Sequence, residues 1–246
     1  MELSKRLAAI GAMVAKGSRL ADIGTDHGYL PIWLTERGIL ASAIAMDINE
    51  GPLLRAEAHV KEHGLLDKIV LRKSDGFAEL LPGEADTAVI AGMGGLLTIR
   101  ILEKGKIITD SLKSLILSPQ SEVIEVRRYL LDHGFDICSE DMVFDEGKYY
   151  TIIKAGHASG EINPWSYIEK KYGRYLLRSG KAVVAEYLEK ERNTFELILE
   201  RLKEAGTEKA AERIPEVEKE LSAVSEAIRI AGTFRENEEE IREAEE

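Results

Sequence analysis

Between residues 18 and 155, short β-rich apolar runs alternate with stretches of helical periodicity, and this alternation narrows the possible folds more than any other feature. It is the pattern of βαβ units, which bury a parallel sheet between layers of helix. Strands are expected over residues 19–24, 42–47, 69–74, 87–91 and 115–118, each ending in small or polar residues. In an open α/β sheet a ligand binds outside those carboxyl ends. A helical stretch over 122–133 precedes two more runs, 135–144 and 149–154. The Asp145-Glu146-Gly147-Lys148 stretch between them is a turn signal, so they are expected to form an antiparallel hairpin. The expected fold class is therefore α/β, a doubly wound sheet of parallel strands closed by a hairpin.

After Ala155 the composition changes. Residues 156–164, GHASGEINP, are small and polar like a linker, and almost no strand signal follows. Ile214, Val217, Leu221, Val224 and Ile228 recur at spacings of three and four, a heptad-like seam. Val184, Leu188, Phe195, Ile198 and Leu202 offer a partner seam, with Glu191 at one position that should be apolar. A break at Ala205-Gly206-Thr207 lets two helices fold back as a coiled-coil-like hairpin. Two domains are expected, 1–156 and 157–246, with a solvated acidic end over 236–246. The seams can close within one chain or between two, and a monomer is the expected form.

Several function classes are bounded by composition. A single cysteine, Cys138, excludes an internal disulfide and a cysteine metal site. His59 and His63 share a helix face but have no evident carboxylate partner, so a solvated surface is expected there and no metal. No apolar run reaches the ~20 residues of a membrane span. The N-terminus lacks the apolar core and cleavage motif of a signal peptide and reads as an amphipathic first helix, so the cytoplasm is the expected location. The net charge of −11 counts against a nucleic-acid partner unless positive charge is locally concentrated.

The chemistry concentrates at the strand ends. In residues 20–31, LADIGTDHGYLP, an apolar strand runs through Asp22 into Gly24, and a tight turn closes with Gly28 before a new helix. A nicotinamide fingerprint carries a glycine where this chain has Asp26. A carboxylate there suits a sulfonium or an amine better than a diphosphate. Asp47, followed by Ile48 and Asn49, ends the second strand, where an acid can accept both ribose hydroxyls of a nucleoside. Asp75-Gly76 ends the third, where an acid can accept from an adenine amino group. One such acid could simply cap a helix. Acids at three consecutive strand ends after a glycine turn point to a nucleoside cofactor. The fourth strand ends in Gly92-Met93-Gly94-Gly95, read as an open floor beside the pocket or as a flexible loop. The fifth ends in Ser118-Pro119-Gln120-Ser121, which offers an amide and hydroxyls to a planar substrate unless Ser121 only caps the next helix.

Positive charge is concentrated in one place. Lys170, Lys171, Arg174, Arg178 and Lys181 lie within twelve residues, with Tyr167, Tyr172 and Tyr175 beside or among them. On one continuous helix Lys171, Arg174 and Arg178 would share a face, either as an RNA-binding stripe or as a solvated surface. Lys5, Arg6, Arg127 and Arg128 could extend that footprint.

Taken in order, ADIGTDHGYLP, AMDIN, SDGFAEL, AVIAGMGG and LSPQSEVIEVRRYLLDHGF resemble the bacterial TrmK family, with LSKRLAAI similar to its first helix. The resemblance covers residues 1 to about 155 by motif and the remainder by architecture. It implies a class I methyltransferase, Rossmann-like fold with a helical C-terminal domain that binds tRNA, and S-adenosylmethionine as cofactor. The implied reaction is methylation of N1 of adenine 22 in tRNA. Asp22, Gly24, Gly28, Asp47, Ile48, Asn49, Asp75, Gly76, Gly92 and Met93 would then hold the cofactor. Gly94, Pro119, Gln120, Arg6, Lys171, Arg174 and Arg178 would meet the substrate. Asp26, His27 and Tyr29 would form the catalytic pocket, Tyr29 stacking on the target base, unless Tyr29 packs under the first helix and His27 caps it. A methyltransferase for small molecules or proteins, a partner-binding module with a vestigial pocket and, more distantly, a nicotinamide oxidoreductase are the other readings of the residues.

Overall fold

The computed structural model describes the backbone of residues 2–245 and the side chains of residues 2–234. Its contacts cluster into two compact units, Met1–Asn163 and Pro164–Glu246. The first opens with α1 (Lys5–Ala12), begun by a Ser4 side chain that accepts from the Leu7 amide. Then follow β1 (Ser18–Ile23), α2 (Tyr29–Glu36), β2 (Leu40–Asp47), α3 (Glu50–Glu62), β3 (Ile69–Lys73) and β4 (Thr87–Ala91). The unit continues through α4 (Gly95–Lys104), α5 (Lys106–Thr109), β5 (Ser114–Ser118) and α6 (Val123–Asp132) to a hairpin of β6 (Phe135–Asp145) and β7 (Lys148–His157).

The seven strands form one sheet in the order β3-β2-β1-β4-β5-β7-β6. β1 to β5 pair in parallel, and β7 joins β5 and β6 antiparallel. Leu20, Ala21, Ala88, Val89, Ile90 and Leu115 to Leu117 are buried, as expected of strands covered on both faces. The order reverses between β1 and β4, and a ligand crevice opens where such a reversal occurs. The hairpin departs from the sequence-based expectation in length. β7 runs to His157, whose ring packs on Phe135 at 4.7 Å and whose Nε2 lies 3.0 Å from the Thr109 carbonyl oxygen.

The second unit contains α7 (Tyr167–Tyr172), α8 (Arg174–Leu177), α9 (Ala182–Ala205) and α10 (Glu208–Glu245). Gly206 ends α9 at φ 58°, and the Thr207 side chain accepts from the Ala210 amide to begin α10. Val184, Leu188, Val217 and Val224 are buried in the seam between the two long helices. Glu191 in that seam is half-buried; burial raises its pKa, and the nearby Lys171 and Lys190 charges oppose the rise. The acidic end expected over 236–246 concerns side chains outside the described residues. Among the described residues no helix is long and apolar enough to cross a membrane.

Candidate active site

The turn after β1 is held open by geometry that only glycine meets without strain. Gly24 has φ 80°, and a Cβ there would lie 2.3 Å from the Met93 Cε. The Gly24 and Thr25 amides both donate to the Met46 carbonyl, at 2.8 and 2.9 Å, which pins the turn to β2. Gly28, at φ 69°, leads into α2 and packs on Ala56 of α3. A cavity of about 250 Å³ opens over this turn, lined by Arg6, Asp22, Gly24, Asp26, His27 and Tyr29 among others.

Asp22 is buried, and burial is the main reason its carboxyl is pushed up to about 6. The nearby Thr25 side chain partly offsets this, and the Asp47 charge adds to it. A buried carboxylate of this kind is completed by a cation. Asp47 accepts from the Asn49 amide at 2.8 Å and keeps further acceptor capacity for hydroxyl donors. Ile48 is an exposed apolar side chain, suited to a flat ring. Asp75 is half exposed and reached by Lys104 at 3.2 Å, and Gly76, at φ 60°, closes tightly on Ile101. A cavity over a left-handed glycine turn, a buried acid and two further acids at strand ends fit a ligand with cationic and nucleoside parts. S-adenosylmethionine has both.

The reading in which His27 caps α2 is set aside. The Tyr29 ring is 39% exposed, and Gly28 stands at the α2 cap with no side-chain cap bond. Tyr29 stacks on His27, with centroids 5.0 Å apart and planes within 9°. Asp26 is exposed, bound by Arg55 at 2.7 Å, with the His27 Nε2 at 3.3 Å from its other oxygen. His59 is no solvated surface residue: it stacks on both rings and approaches the His27 carbonyl at 3.0 Å. His63 pairs separately with Glu36 at 2.6 Å. Arg55 escaped the sequence reading, though its i, i+4 spacing from His59 puts both on one face of α3.

The floor after β4 is not open. Met93 lies over Gly24, and Gly95 packs so closely on the next loop that a Cβ would come 2.5 Å from the Ser121 carbonyl oxygen. Gly92, at φ 80°, leaves space for Arg6, whose Nη1 would lie 3.2 Å from a Cβ at that position. That Nη1 is buried with no partner, and its guanidinium sits 5.1 Å over the Tyr150 ring. Gln120 is exposed, and its backbone N–H donates to the Met93 carbonyl at 2.8 Å. Pro119 is buried, so it shapes the loop and does not face a substrate. Ser121 does not cap α6: the cap position is Glu122, in left-handed conformation at φ 47°, and the Ser121 hydroxyl bonds the Glu122 carboxylate.

The expected basic stripe is not formed. Gly173, at φ 92°, divides the segment into α7 and α8, so Lys171, Arg174 and Arg178 do not share one helix face. Lys171 contacts Glu220, while Arg174 and Arg178 converge on Glu169 at 2.8 and 3.1 Å. Their charges are matched within the unit, and only Arg178 has a side chain about half exposed. Arg127 also leaves the expected RNA footprint, because it is buried in an ion pair with Glu140 at 2.7 Å. Arg128 is partly exposed and paired with Glu125.

Residues 3–153 match the methyltransferase domain family. The tRNA (adenine(22)-N(1))-methyltransferase of Bacillus subtilis is 31% identical over 232 residues, covering 93% of this chain and 98% of that protein. The crystal structure of the B. subtilis M1A22 tRNA methyltransferase TrmK superposes with a TM-score of 0.82 at 31% identity, over 92% of this chain and 99% of its own. Streptococcus pneumoniae Sp1610, solved in complex with S-adenosyl-L-methionine, superposes at 0.83 with 33% identity, over 92% and 100%. With the domain matched over more than half its length and a relative matched almost end to end, the chain belongs to the TrmK family of S-adenosylmethionine-dependent tRNA (adenine(22)-N1)-methyltransferases.

Proposed function

We propose that this chain transfers a methyl group from S-adenosylmethionine to N1 of adenine 22 in tRNA. The observation that carries the reading is the cavity at the end of β1, where the buried Asp22 calls for a cationic ligand and an exposed Tyr29 ring stands beside it. The cofactor, once bound, supplies an activated methyl on a cationic sulfur. Asp22 offsets that ligand's positive charge, Asp47 accepts from its ribose hydroxyls, and Asp75 accepts from its adenine amino group. Ile48, Asn49, Gly76, Gly92 and Met93 shape its seat, with Gly24 and Gly28 giving the backbone its close approach.

Adenine N1 is a neutral lone pair, so the acceptor needs no strong base. The N1–methyl bond forms as the carbon–sulfur bond breaks, the sulfur keeps the electron pair, and the base takes up the positive charge. The protein's task is alignment and exclusion of water. N1 lies on the pairing edge, so a paired target base must leave its stack. Tyr29 then stacks on it, Asp26 and His27 shape its pocket, and Arg6, Gly94 and Gln120 line the entry, with Pro119 fixing the loop. The unit over 164–246 holds the body of the tRNA through exposed cations such as Arg178. We read the protein as a monomer acting in the cytoplasm; the burial of Val184, Leu188, Val217 and Val224 within one chain supports the monomer.

Labelled methyl from S-adenosylmethionine should enter unmodified tRNA and fail to enter an adenine-22-to-guanine transcript. Equal incorporation into both would refute the position, and none in either, with cofactor bound, would refute the acceptor.

A further inference from the structure

His27 and Tyr29 line the cavity, and the ring packed behind them belongs to a residue with no assigned part in the reaction. His59 stands on α3, 32 positions from His27 in sequence, and its Nδ1 lies 3.0 Å from the His27 carbonyl oxygen. A carbonyl oxygen only accepts, so Nδ1 carries the hydrogen and donates it. That bond fixes the plane of the imidazole. The His59 ring is 5.6 Å from His27, with planes at 22°, and 5.3 Å from Tyr29, at 14°. His27 and Tyr29 are themselves 5.0 Å apart at 9°. Each ring therefore touches the other two, and all three are close to parallel. Tyr29 is 39% exposed, so packing holds it on part of its surface only.

We propose that His59 is a positioning residue for the target base: its ring, oriented by the bond to the His27 carbonyl, fixes the plane in which Tyr29 meets adenine. The proposal rests on the reading that Tyr29 stacks on the substrate. An exposed tyrosine alone would sample several rotamers, and each ordered ring contact restricts them. A base entering the pocket then meets a preformed surface and does not have to order the ring itself. His59 does not touch the reacting atoms in this arrangement and acts through Tyr29.

The test is a double-mutant cycle on the full chain, with methyl transfer to unmodified tRNA and cofactor affinity measured separately. His59→Ala is expected to lower kcat/KM for tRNA by about tenfold, the size of one or two aromatic contacts. The Kd for S-adenosylmethionine should not move. His59→Phe, which keeps a ring but loses the bond to the His27 carbonyl, should restore part of the loss, and His59→Asn, which keeps a donor and no ring, should restore none. In a Tyr29→Ala background, His59→Ala should cost nothing further. The proposal is overturned if His59→Ala retains full activity, weakens cofactor binding in step, or adds its whole effect to Tyr29→Ala. It is equally overturned if His59→Asn restores activity and His59→Phe does not. Wild-type protein that fails to methylate adenine 22 overturns the activity reading itself and this proposal with it. Where the wild type does methylate it, the variants bear on His59 alone.

Discussion

On the proposed reading, Asp22 sets stability against binding at a single side chain. Its carboxyl ordinarily ionises near 3.8 and here does so at about 6, chiefly because it is buried. Above pH 6 the folded protein holds a buried charge that the unfolded chain would solvate, a cost of about 3 kcal/mol. Between pH 6 and 4 the folded state takes up a proton first and the cost disappears. Asp22→Asn should therefore stabilise the ligand-free protein at pH 8, and the gain should vanish toward pH 4, as measured by urea unfolding across that range. The same substitution should weaken S-adenosylmethionine binding by tenfold or more, since a charge-assisted contact is worth about 1.5–3 kcal/mol. Calorimetric titration in buffers of different ionisation enthalpy should also register proton release on cofactor binding near pH 6, because a bound cation favours the ionised acid.

Among the elements, α6 and β6 are joined by Arg127 and Glu140, whose side chains are 1% and 0% exposed. Arg127→Ala would leave a buried carboxylate uncompensated and should cost about 3–5 kcal/mol in urea unfolding. Replacing both partners by apolar residues should cost far less. This pair marks a limit of what the sequence discloses. The central strands were legible because burial on both faces makes them continuous apolar runs, as in Ala88 to Ile90. The acids at the ends of β1, β2 and β3 were legible because a doubly wound topology brings those ends together. Arg127 was not, since a charged residue on an amphipathic helix reads as surface until its partner on another element is known. His59 was hidden for the same reason, its partners lying about thirty positions upstream. The basic run misled because one glycine, Gly173, broke the helix that would have aligned its cations, and Lys171 met an acid 49 residues onward.

At the level of the whole molecule, the net charge of −11 and an RNA substrate are compatible only if cations are placed locally. The first unit carries its own seven-stranded sheet and the complete cavity. A chain ended at residue 163 should therefore keep its S-adenosylmethionine affinity. It should lose tRNA affinity by about tenfold or more and show a shallower salt dependence, since each lost phosphate contact reduces the slope by about 0.9. Filter binding from low to moderate salt, beside calorimetry of the cofactor, would separate the two effects.

In β6 the pairing with β7 jumps from Ile137 opposite Ala155 to Ser139 opposite Lys154, leaving Cys138 unpaired. Before the jump Phe135 and Ile137 are buried; after it, Glu140 and Met142. The strand thus behaves like a text with one letter inserted, and everything beyond depends on that shift of frame. Forcing Cys138 into a regular ladder opposite Lys154 would act as a frameshift, sending Glu140 to the outer face, stranding Arg127, and turning away Asp145, whose carboxylate receives the Arg6 amide at 3.0 Å. Deleting Cys138 would instead remove the extra letter and leave Ser139 opposite Lys154 and Glu140 opposite Ile153, with the buried pair intact.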